Sequence, residues 1–437
     1  MVFLTLAHIV LLAVRPASAD EIVVLTSFPP SFFEPFHKEF EARHPGIEMT
    51  VMQRNTARSV RMLQDGDQIE ADVFWASAPD AFEVLKAAGL LAKTEPRETG
   101  APERMLGHRI NDKDGFYLGF ALSGYGFVHN PVYLSEHRLP LPQTFTDLTK
   151  PVYSGHIGIS SPSRSGTTHL MIEAILQTYG WEQGWRLLSR LGGNLSTVTA
   201  RSFGVTSGVA RGRFGIGITI DFLATTSDEL SADIRFTLPE ETLVIPAGIG
   251  RLAKARNPRG ADLFIDFVLS QEGQAILLRP EIGRIPVLPD LQKKLTGLQA
   301  DLIATPALLD NRAFDAALSA RRYVMLNLLF DEFIVRRRSA LARTWRMINE
   351  AEAGPLTEFQ RQQVDRAISL VADPPWPEEE ALDNMGALRL DDIPAGLPAS
   401  RAQSDFRAGI RARLDNRLES ASAILLELTD GKTSVRH

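Results

Sequence analysis

Residues 21–51 read EIVVLTSFPPSFFEPFHKEFEARHPGIEMTV, and the fold can be predicted outward from this stretch. Its first six residues are rich in β-branched side chains and predict a strand, and the Phe-Pro-Pro that follows Ser27 is typical of a turn. A helix is predicted from about Ser31, with four rings on roughly one face: Phe32, Phe33, Phe36 and Phe40. Residues 46–51 predict a second strand, so the stretch forms one strand–helix–strand unit.

The same alternation continues along the chain. Helices are predicted at 56–64 and 81–88, with a strand at 72–75 between them. This order calls for a mostly parallel sheet covered by helices on both faces. A second unit of the same kind has strands at 156–159 and 216–220. Its helices are predicted at residues 167–178, 181–190 and 205–211.

Two longer extended stretches, 116–128 and 234–246, are candidates for segments that cross between the two α/β units. A helix at 260–269 follows the second stretch. The later elements can therefore return to the first unit, which gives two lobes joined by two strands.

From about residue 300 the pattern becomes helical, with many arginines. Residues 310–351 predict helix, 373–400 predict a Pro-, Asp- and Glu-rich loop, and 405–428 predict an amphipathic helix. One apolar stripe of that helix recurs every four residues: Phe406, Ile410, Leu414 and Leu418. The region is interpreted either as a helical layer packed on the lobes or as a docking surface for a partner protein.

The composition excludes several classes of protein. The 437 residues suggest two to four domains of ~100–200 residues each, and 44% hydrophobic residues indicate a folded chain. A net charge of −6 without a Lys/Arg block disfavours nucleic-acid binding and polybasic membrane binding. The absence of cysteine excludes disulfides, thiolate zinc sites, iron–sulfur clusters and a cysteine nucleophile.

The first nineteen residues, MVFLTLAHIVLLAVRPASA, predict a signal peptide cleaved after Ala19. An uncleaved anchor is the alternative, but the apolar run is short for a ~30 Å hydrocarbon core. A bacterial lipoprotein needs a cysteine directly after its signal segment, and none is present. The protein is therefore expected in the periplasm, exported, soluble and not lipid-anchored.

An ordered series of motifs resembles the bacterial periplasmic solute-binding proteins of ABC transporters, in the branch of ferric-ion, thiamine, phosphonate and sugar-phosphate binders. Besides residues 21–51, the series includes ADVFWAS (71–77), GYGFVHNP (124–131) and DLTKPVYSGHIGISSPSRSGTTH (147–169). The most diagnostic segment is ARNPRGADLFIDFVLSQEGQAILLRPEIGRIPV (255–287). The extension past about 300 resembles the phosphoglycerate-transport regulatory binding proteins, in which a periplasmic binder serves a membrane sensor kinase.

The resemblance implies an α/β, two-lobed periplasmic binding protein type 2 fold with hinge strands, plus a C-terminal helical extension. A solute would lie in the cleft between the lobes, and catalysis is not expected. The predicted segments are a signal peptide at 1–19, a first lobe at 20–125 that resumes at 234–300, a second lobe at 126–233, and a helical extension at 301–437.

In open α/β sheets, ligands bind beyond the carboxyl ends of strands, where helix N-termini present free N–H groups. Four loops of the sequence occupy such positions. The predicted ligand-binding residues are Thr26, Ser27, Arg54 and Ser77 from the first lobe, and Ser163, Arg164, Ser165, Gly166, Thr167, Thr168, Arg201, Ser202 and Asp221 from the second. Hydroxyls, a guanidinium and a glycine in residues 163–168 favour a phosphate or carboxylate.

Structural explanations exist for the same residues. Serine and threonine are ordinary helix N-caps, and Arg201 can be a surface arginine. Asp221 can accept solute hydroxyls or cap the next helix. Phe28 and Trp75 can wall the cleft or belong to the core. His169, beside the 163–168 loop, is a candidate ligand contact.

Iron is the competing ligand, because relatives hold ferric ion through adjacent tyrosines. Here the six tyrosines are isolated in the sequence, and no histidines have the spacing of a metal site such as HExxH. No metal site and no cofactor are therefore predicted. The sequence also lacks a GxSxG elbow, a complete P-loop and a GxGxxG after the first strand, so an enzyme is not predicted.

The sequence thus favours a monomer that binds a small anionic metabolite, phosphorylated or carboxylated, and delivers it to a membrane ABC permease, without binding nucleic acid. One alternative is a ligand-sensing adaptor for a membrane histidine kinase that controls uptake genes in two-component signalling. The other alternative is a ferric-ion binding protein.

Overall fold

The computed structural model describes residues 20–66, 69–106, 108–225, 234–240, 242, 244–304, 314–388 and 401–434. The predicted signal peptide lies outside the described residues. The strands are β1 (Asp20–Thr26), β2 (Ile47–Gln53), β3 (Val73–Ala76), β4 (Arg104–Met105), β5 (His108–Arg109), β6 (Leu118–His129), β7 (Ile157–Ser160), β8 (Leu195–Thr199), β9 (Ile216–Ile220), β10 (Arg235–Thr237), β11 (Val244–Arg251) and β12 (Ile285–Pro286).

Helices cover the sheet and make up the C-terminal region. They are α1 (Pro30–Arg43), α2 (Thr56–Gln64), α3 (Pro79–Ala87), α4 (Pro131–Glu136), α5 (Gly166–Tyr179), α6 (Trp181–Asn194), α7 (Ser202–Ala210), α8 (Asp221–Thr225), α9 (Pro258–Leu269), α10 (Gln271–Ile276), α11 (Pro289–Gln292), α12 (Gly297–Ala304), α13 (Ala316–Leu329), α14 (Arg338–Glu352), α15 (Glu358–Ala372), α16 (Glu378–Leu388) and α17 (Arg401–Ser434). A π-helical turn, Phe330–Val335, joins α13 to α14. None of these described helices is long and apolar enough to span a membrane.

The strands follow the order β2-β1-β3-β11-β6-β9-β7-β8, and β10 and β12 also pair with β6. In the first lobe β1 pairs in parallel with β2 and β3, and in the second lobe β7 pairs in parallel with β8 and β9. Each lobe therefore has three parallel strands, as the alternating pattern predicts, but the sheet as a whole is mixed and not mostly parallel, because the crossing strands pair antiparallel. β11 runs antiparallel to both β3 and β6.

One strand, β6, belongs to both lobes. Up to Gly124 it pairs with β11 of the first lobe, and from Tyr125 onward it pairs with β9 of the second. The return crossing is made by β10, on the second-lobe end of β6, and by β11. An added Cβ at Gly126 would overlap the carbonyl of Thr237, so this glycine lets β10 lie against β6. The predicted crossing segment at 116–128 is confirmed as β6, whereas the one predicted at 234–246 consists of two strands, β10 and the start of β11. The lobe boundaries at 125, 233 and 300 stay predictions.

The core of the first lobe is an aromatic cluster around the fully buried ring of Trp75. Five ring centroids lie 5.1–5.5 Å from that of Trp75: Phe28, Phe32, Phe36, Phe120 and Phe264. Of the predicted helical face, Phe40 is also buried and Phe33 is partly buried. Edge-to-face packing of such rings adds to the stabilisation from burial of apolar surface.

The helices after residue 314 pack on both lobes. α13 lies against α3 of the first lobe and α5 of the second, and α14 and α15 lie against α6. On α17 the predicted stripe is buried at Ile410, Leu414 and Leu418, and Phe406 stacks on Trp376 with centroids 5.5 Å apart. The burial of the stripe supports the interpretation of a helical layer over that of a docking surface.

One element is not foreseen by the sequence pattern. Residues 373–400 predict a loop, but Glu378–Leu388 form α16. Three glutamates in its first turn interact favourably with the positive end of the helix dipole. The first of them, Glu378, forms an ion pair with Arg322 on α13, in which Nη2 of Arg322 lies 2.6 Å from Oε1 of Glu378. This tertiary contact explains why a sequence rich in Pro and Asp still forms a helix here.

The two lobes and the extension meet at a buried polar cluster. Asp80, at the start of α3, lies 3.0 Å through Oδ2 from Nε2 of His169 on α5, and both side chains are fully buried. Ser319 of α13 donates its hydroxyl to the same carboxylate oxygen at 2.8 Å. The other ring nitrogen of His169 lies 3.0 Å from Oδ1 of Asn327. His169 is therefore a partnered core histidine, and the expectation that it contacts a solute is wrong.

A second buried ion pair fixes α13 to the second lobe. Arg322 donates through Nη1 to Glu173 of α5 at 2.8 Å, and both side chains are at most 5% exposed. Since Ser319 and Arg322 lie on one helix but bind carboxylates of different lobes, α13 bridges the lobes. Breaking either buried pair would leave an uncompensated charge away from water, which costs about 3–5 kcal/mol.

We expect the charge of His169 to make stability depend on pH. Burial alone would lower the pKa of His169, but the charge of Asp80 and the hydrogen bonds with Asp80 and Asn327 outweigh it and raise the pKa. The folded state then gains stability that is fully present below the ordinary pKa of about 6.5 and is lost as pH rises through the raised folded value.

Urea unfolding of the native chain between pH 6 and 9 checks this expectation. The free energy of unfolding should fall with rising pH in the native chain, and His169→Gln should flatten the dependence. The matched control is His37→Gln, since His37 is partly exposed and pairs within one helix with Glu41. Identical pH profiles for the native chain and His169→Gln would contradict the charged pair.

Candidate functional site

A cavity of about 60 Å³ lies between the lobes, beyond the carboxyl ends of β1 and β3. A single buried water needs about 10–15 Å³, so the space admits more than one water. Its lining residues are Ser27, Phe28, Pro29, Asn55, Thr56, Ser77, Arg164, Ser165, Gly166, Thr167, Arg201, Ser202, Phe203, Phe222 and Leu223. The structure therefore brings together these predicted ligand-binding residues: Ser27, Ser77, Arg164, Ser165, Gly166, Thr167, Arg201 and Ser202.

The remaining predicted residues lie close by but do not line the cavity. Thr26 is fully buried and donates its hydroxyl to the carbonyl of Trp75 at 2.7 Å. Arg54 donates through Nη1 to the carbonyl of Gln53 at 2.8 Å. Both side chains therefore support the loops that follow β1 and β2.

In the second lobe, two more predicted residues make contacts within the protein. The hydroxyl of Ser163 lies 2.8 Å from that of Ser161. Asp221 accepts the backbone N–H of Gly124 at 3.0 Å and that of Phe222 at 2.7 Å, and it is almost fully buried. Of the two roles considered for Asp221, the structure thus places the carboxylate at the start of α8, where it accepts backbone N–H groups.

Four hydroxyls form a buried cluster below the cavity. Ser202 Oγ lies 2.7 Å from Ser165 Oγ, 3.3 Å from Ser160 Oγ and 3.5 Å from Thr168 Oγ1. Ser160 and Thr168 also hydrogen-bond to each other. Ser165 caps α5 by accepting the N–H of Thr168 at 3.3 Å. The cluster links the N-termini of α5 and α7 and holds the two facing residues, Ser165 and Ser202, in place.

Four helices begin at the cavity wall. α1 follows Pro29, α2 follows Asn55, α5 follows Ser165, and α7 begins at Ser202, and all four of these residues line the cavity. The N-terminus of a helix carries about half a positive charge and unpaired N–H groups. Their convergence makes the cavity electropositive before any charged side chain is considered.

Arg164 and Arg201 add two full positive charges to the wall. Burial lowers the pKa of Arg201, but a guanidinium stays charged in proteins. None of the described residues that line the cavity is Asp, Glu, Tyr or His. A desolvated anion would therefore meet positive charge and hydrogen-bond donors beside the apolar side chains of the wall, and a cation would meet no opposite charge among these residues.

Arg284 is the functional candidate that the sequence reasoning missed. It is 1% exposed and donates through Nη1 to Oγ of Ser77, a cavity residue, at 3.1 Å, and through Nη2 to Oγ of Ser123 at 2.8 Å. Its guanidinium carbon lies 4.5 Å from the ring centroid of Phe222, which also lines the cavity. An arginine inside the apolar run IGRIPV is the signal that could have revealed it, because such a residue must find partners.

Buried charges below the cavity influence each other. Burial raises the pKa of Asp221 to about 6, although the N–H of Gly124 and the charge of Arg284 oppose the rise. Burial lowers the pKa of Arg284 to about 10, and the charge of Asp221 opposes that fall. The two groups thus partly compensate each other without a direct ion pair.

The lobes touch at Gly166. An added Cβ would lie 2.7 Å from Oγ1 of Thr56 and 3.1 Å from Cβ of Ala78, both in the first lobe. Only glycine allows this approach without a shift of its neighbours. The glycine at this position therefore allows close contact between the lobes, and its predicted role in ligand binding stays a prediction.

A larger cavity of about 520 Å³ lies behind the crossing strands, but its main charged groups are already matched. Lys86 lies 2.7 Å from both Asp112 and Asp114. Tyr117 donates its hydroxyl to Glu83 at 2.7 Å. We therefore place the candidate site in the smaller cavity between the lobes.

No group of three or more His, Asp or Glu side chains arranged to hold a metal ion occurs in the described part of the chain. The described tyrosines near the lobe junction are also unsuitable. Tyr125 and Tyr323 are buried outside the cavity, and burial raises the pKa of each phenol far above its usual value. The geometry of a tyrosine pair for ferric ion is not formed by these residues.

Comparison with known proteins gives a consistent family. The sequence profile of the bacterial extracellular solute-binding proteins matches residues 69–298. The chain is similar to the phosphoglycerate transport regulatory protein PgtC of Salmonella typhimurium, with 29% identity over 348 residues, covering 79% of this chain and 85% of PgtC.

Several solved structures of periplasmic binding proteins are similar in fold to this chain. The periplasmic binding protein AfuA from Actinobacillus pleuropneumoniae, with fructose-6-phosphate bound, has a TM-score of 0.60 and 21% identity and covers 75% of this chain and 98% of its own. Iron-bound HitA from Pseudomonas aeruginosa has a TM-score of 0.58 and 23% identity and covers 70% of this chain and 98% of its own. At these identities the likeness concerns the fold, the two-lobed periplasmic binding protein fold that the sequence predicts.

We expect Arg284→Met to destabilise the protein in a pH-dependent way. The substitution leaves the hydroxyls of Ser77 and Ser123 without their charged donor, which costs about 1.5–3 kcal/mol per hydrogen bond, and at pH 7.5 it also removes the positive charge that partly compensates the carboxylate of Asp221. The pKa of Asp221 is already raised, so lowering the pH to 5.5 protonates it and should shrink the loss.

Urea unfolding at the two pH values measures this effect. Asp221→Asn in the Arg284→Met background should recover part of the loss at pH 7.5. A loss that is equal at both pH values would show that Asp221 and Arg284 are not coupled.

Proposed function

The chain belongs to the family of bacterial extracellular solute-binding proteins, and we propose that its cavity between the lobes captures a small phosphorylated or carboxylated metabolite in the periplasm. The protein would hold this solute reversibly, without converting it, and pass it to the membrane permease of an ABC importer. Export would use residues 1–19 as a cleaved signal peptide and leave the protein free of a lipid anchor.

The observation that carries this proposal is the one-sided charge of the cavity. Arg164 and Arg201 and the N-termini of four helices face it, and no carboxylate or phenol of the described residues lines it. A phosphate or carboxylate accepts charge-assisted hydrogen bonds from guanidinium and backbone N–H groups, which are stronger than neutral ones. The same wall gives a metal cation or a cationic vitamin no counter-charge.

The two lobes would contribute differently to binding. The second lobe supplies both guanidiniums, Arg164 and Arg201, and the first lobe supplies the polar groups of Ser27, Asn55 and Ser77. An anion held by the second lobe would meet the first lobe only when the lobes approach each other. A ligand that contacts both lobes stabilises the closed arrangement through its differential affinity for the two states.

The relatives support a phosphorylated solute. The name of PgtC refers to the transport of phosphoglycerate, and AfuA is described with fructose-6-phosphate bound. Phosphoglycerate combines a phosphate and a carboxylate, which suits a wall with two separate guanidiniums. The ferric alternative, suggested by iron-bound HitA, is disfavoured by the lining described above.

Solution binding tests the proposal directly. Isothermal titration and thermal shift of the mature chain should show a response to 3-phosphoglycerate, 2-phosphoglycerate or fructose 6-phosphate, and none to thiamine or ferric citrate. Ligand at 100 times its dissociation constant should add ~2.7 kcal/mol of stability. Arg164→Ala with Thr167→Ala should weaken binding about 10- to 100-fold, since a hydrogen bond to a charged group contributes about 1.5–3 kcal/mol.

The matched control is Arg213→Ala, an exposed arginine of the same lobe outside the cavity. It should bind like the native chain. A response only to iron or thiamine, or normal anion binding by the double variant, would refute the proposal.

A second candidate function is sensing for a membrane histidine kinase. It is favoured by α13, which contacts carboxylates of both lobes through Ser319 and Arg322. A helix fixed to both lobes would move when the angle between them changes, so a receptor could read ligand occupancy from the extension. PgtC is likewise named as a regulatory protein of transport.

Transport and sensing can be separated in a strain that lacks this chain but expresses the permease constitutively. Loss of labelled 3-phosphoglycerate uptake would indicate a transport component. Intact uptake with loss of ligand-induced transcription of the uptake genes would indicate a sensor. We expect the first result, because delivery to a permease is the simpler use of a reversible binder.

A further inference from the structure

A groove of about 430 Å³ lies between the second lobe and the C-terminal extension. The second lobe forms one wall, after β7 and at the end of β8, and the π-helical turn and α17 form the other. The lining residues are Ser161, Arg164, Val198, Thr199, Asp331, Glu332, Val335, Arg336, Arg407 and Arg411. Arg164 lines both this groove and the cavity between the lobes.

The groove has an excess of positive charge. Its four guanidiniums face two carboxylates, which leaves a net charge of +2. Glu332 already binds two of the arginines: its Oε1 lies 2.7 Å from Nη2 of Arg411, and its Oε2 lies 2.9 Å from Nε of Arg336. The other carboxylate, Asp331, accepts the hydroxyl of Ser161 at 2.7 Å.

Two guanidiniums therefore remain without a carboxylate. Neither Arg164 nor Arg407 has an ion-pair partner within 4.0 Å among the residues the structure describes. Nε of Arg407 is in addition buried and makes no hydrogen bond within the described protein. A buried donor without an acceptor costs about 1–3 kcal/mol, more when it is charged, so the described protein leaves the guanidinium of Arg407, which lines the groove, incompletely satisfied.

We propose that the groove is a second anion site, which takes a phosphate-type anion on Arg407 with support from Arg164 and Arg411. The net charge of +2 matches a doubly charged anion such as hydrogen phosphate, and planar guanidiniums bind such oxygens in pairs. The carboxylates of Asp331 and Glu332 favour a small anion as the ligand. A long acidic segment would be repelled, because it would lie close to both carboxylates. The site stands apart from the cavity between the lobes in every lining residue except Arg164.

Occupation of this site has a structural consequence. One wall, Ser161 to Arg164, belongs to the loop that also frames the cavity, and the other wall belongs to the extension. An anion between them ties the extension to that loop. Free phosphate in the groove would thus stabilise the position of the Ser161 to Arg164 loop at the edge of the cavity between the lobes.

Titration of the mature chain with inorganic phosphate tests the proposal by stoichiometry. The native chain should bind two phosphates, Arg407→Gln should bind one, and Arg201→Gln, which alters only the cavity, should also bind one. The combined Arg201→Gln, Arg407→Gln variant should bind none. Arg407→Lys keeps the charge but not the paired donors, and should bind two phosphates with about tenfold weaker affinity at the groove.

The matched control is Arg413→Gln, on the same helix, whose guanidinium lies over Trp376 and not in the groove. It should bind two phosphates. Circular dichroism and thermal unfolding of each variant without phosphate report whether it is folded, and 31P line broadening gives a second readout on folded samples. Two phosphates on folded Arg407→Gln would overturn the groove site, whereas one phosphate on the native chain that is lost in Arg407→Gln would keep the groove and refute the cavity.

Discussion

Charged side chains that are removed from water need partners, and this requirement governs how three parts of the chain come together. One carboxylate oxygen of Asp80, in the first lobe, lies 3.0 Å from His169 of the second lobe and accepts the hydroxyl of Ser319 of the extension at 2.8 Å. In a two-lobed protein without an extension, separation of the lobes exposes two facing surfaces. Here separation would also leave a carboxylate or an imidazole buried without its partner, unless α13 moves with one lobe. The cluster therefore couples the angle between the lobes to the position of the extension.

The cavity between the lobes differs from this cluster, because its charged side chains have no oppositely charged partner on the described part of the cavity wall. At the Asp80 cluster every charge has a partner within the protein, whereas Arg164 and Arg201 face hydroxyls, an amide and aromatic rings. The hydroxyl cluster of Ser160, Ser165 and Ser202 bonds internally, so it orients the wall but does not neutralise it. A buried charge that is paired within the protein contributes to stability. The arginines of the cavity have no such partner among the described residues of its wall, so they remain available to an external anion. Both kinds of charge lie in one region of the lobe junction.

Local patterns were sufficient for much of the fold and for most of the cavity wall. A strand followed by a glycine- or serine-rich loop and a helix is encoded by neighbouring residues, so loops such as 163–168 could be assigned to the carboxyl ends of strands. Arg284 could not be found in this way, because its partner Ser77 lies about two hundred residues earlier and only the folded sheet brings them together. Long-range contacts also decide α16 and His169. In both cases a partner on α13 overrides what the neighbouring residues suggest.

The position of β11 in the sheet has a consequence for the order in which the chain can fold. β11, at Val244–Arg251, lies between β3 and β6 in the middle of the sheet, although it follows the whole second lobe in sequence. The first lobe cannot complete its hydrogen-bond ladder until that late segment has been synthesised and inserted. Until then the edges of β3 and β6 are open to pairing with other chains. The first lobe can therefore close its sheet only after the whole second lobe has been synthesised, and its aromatic core is completed later still by α9, which contributes Phe264.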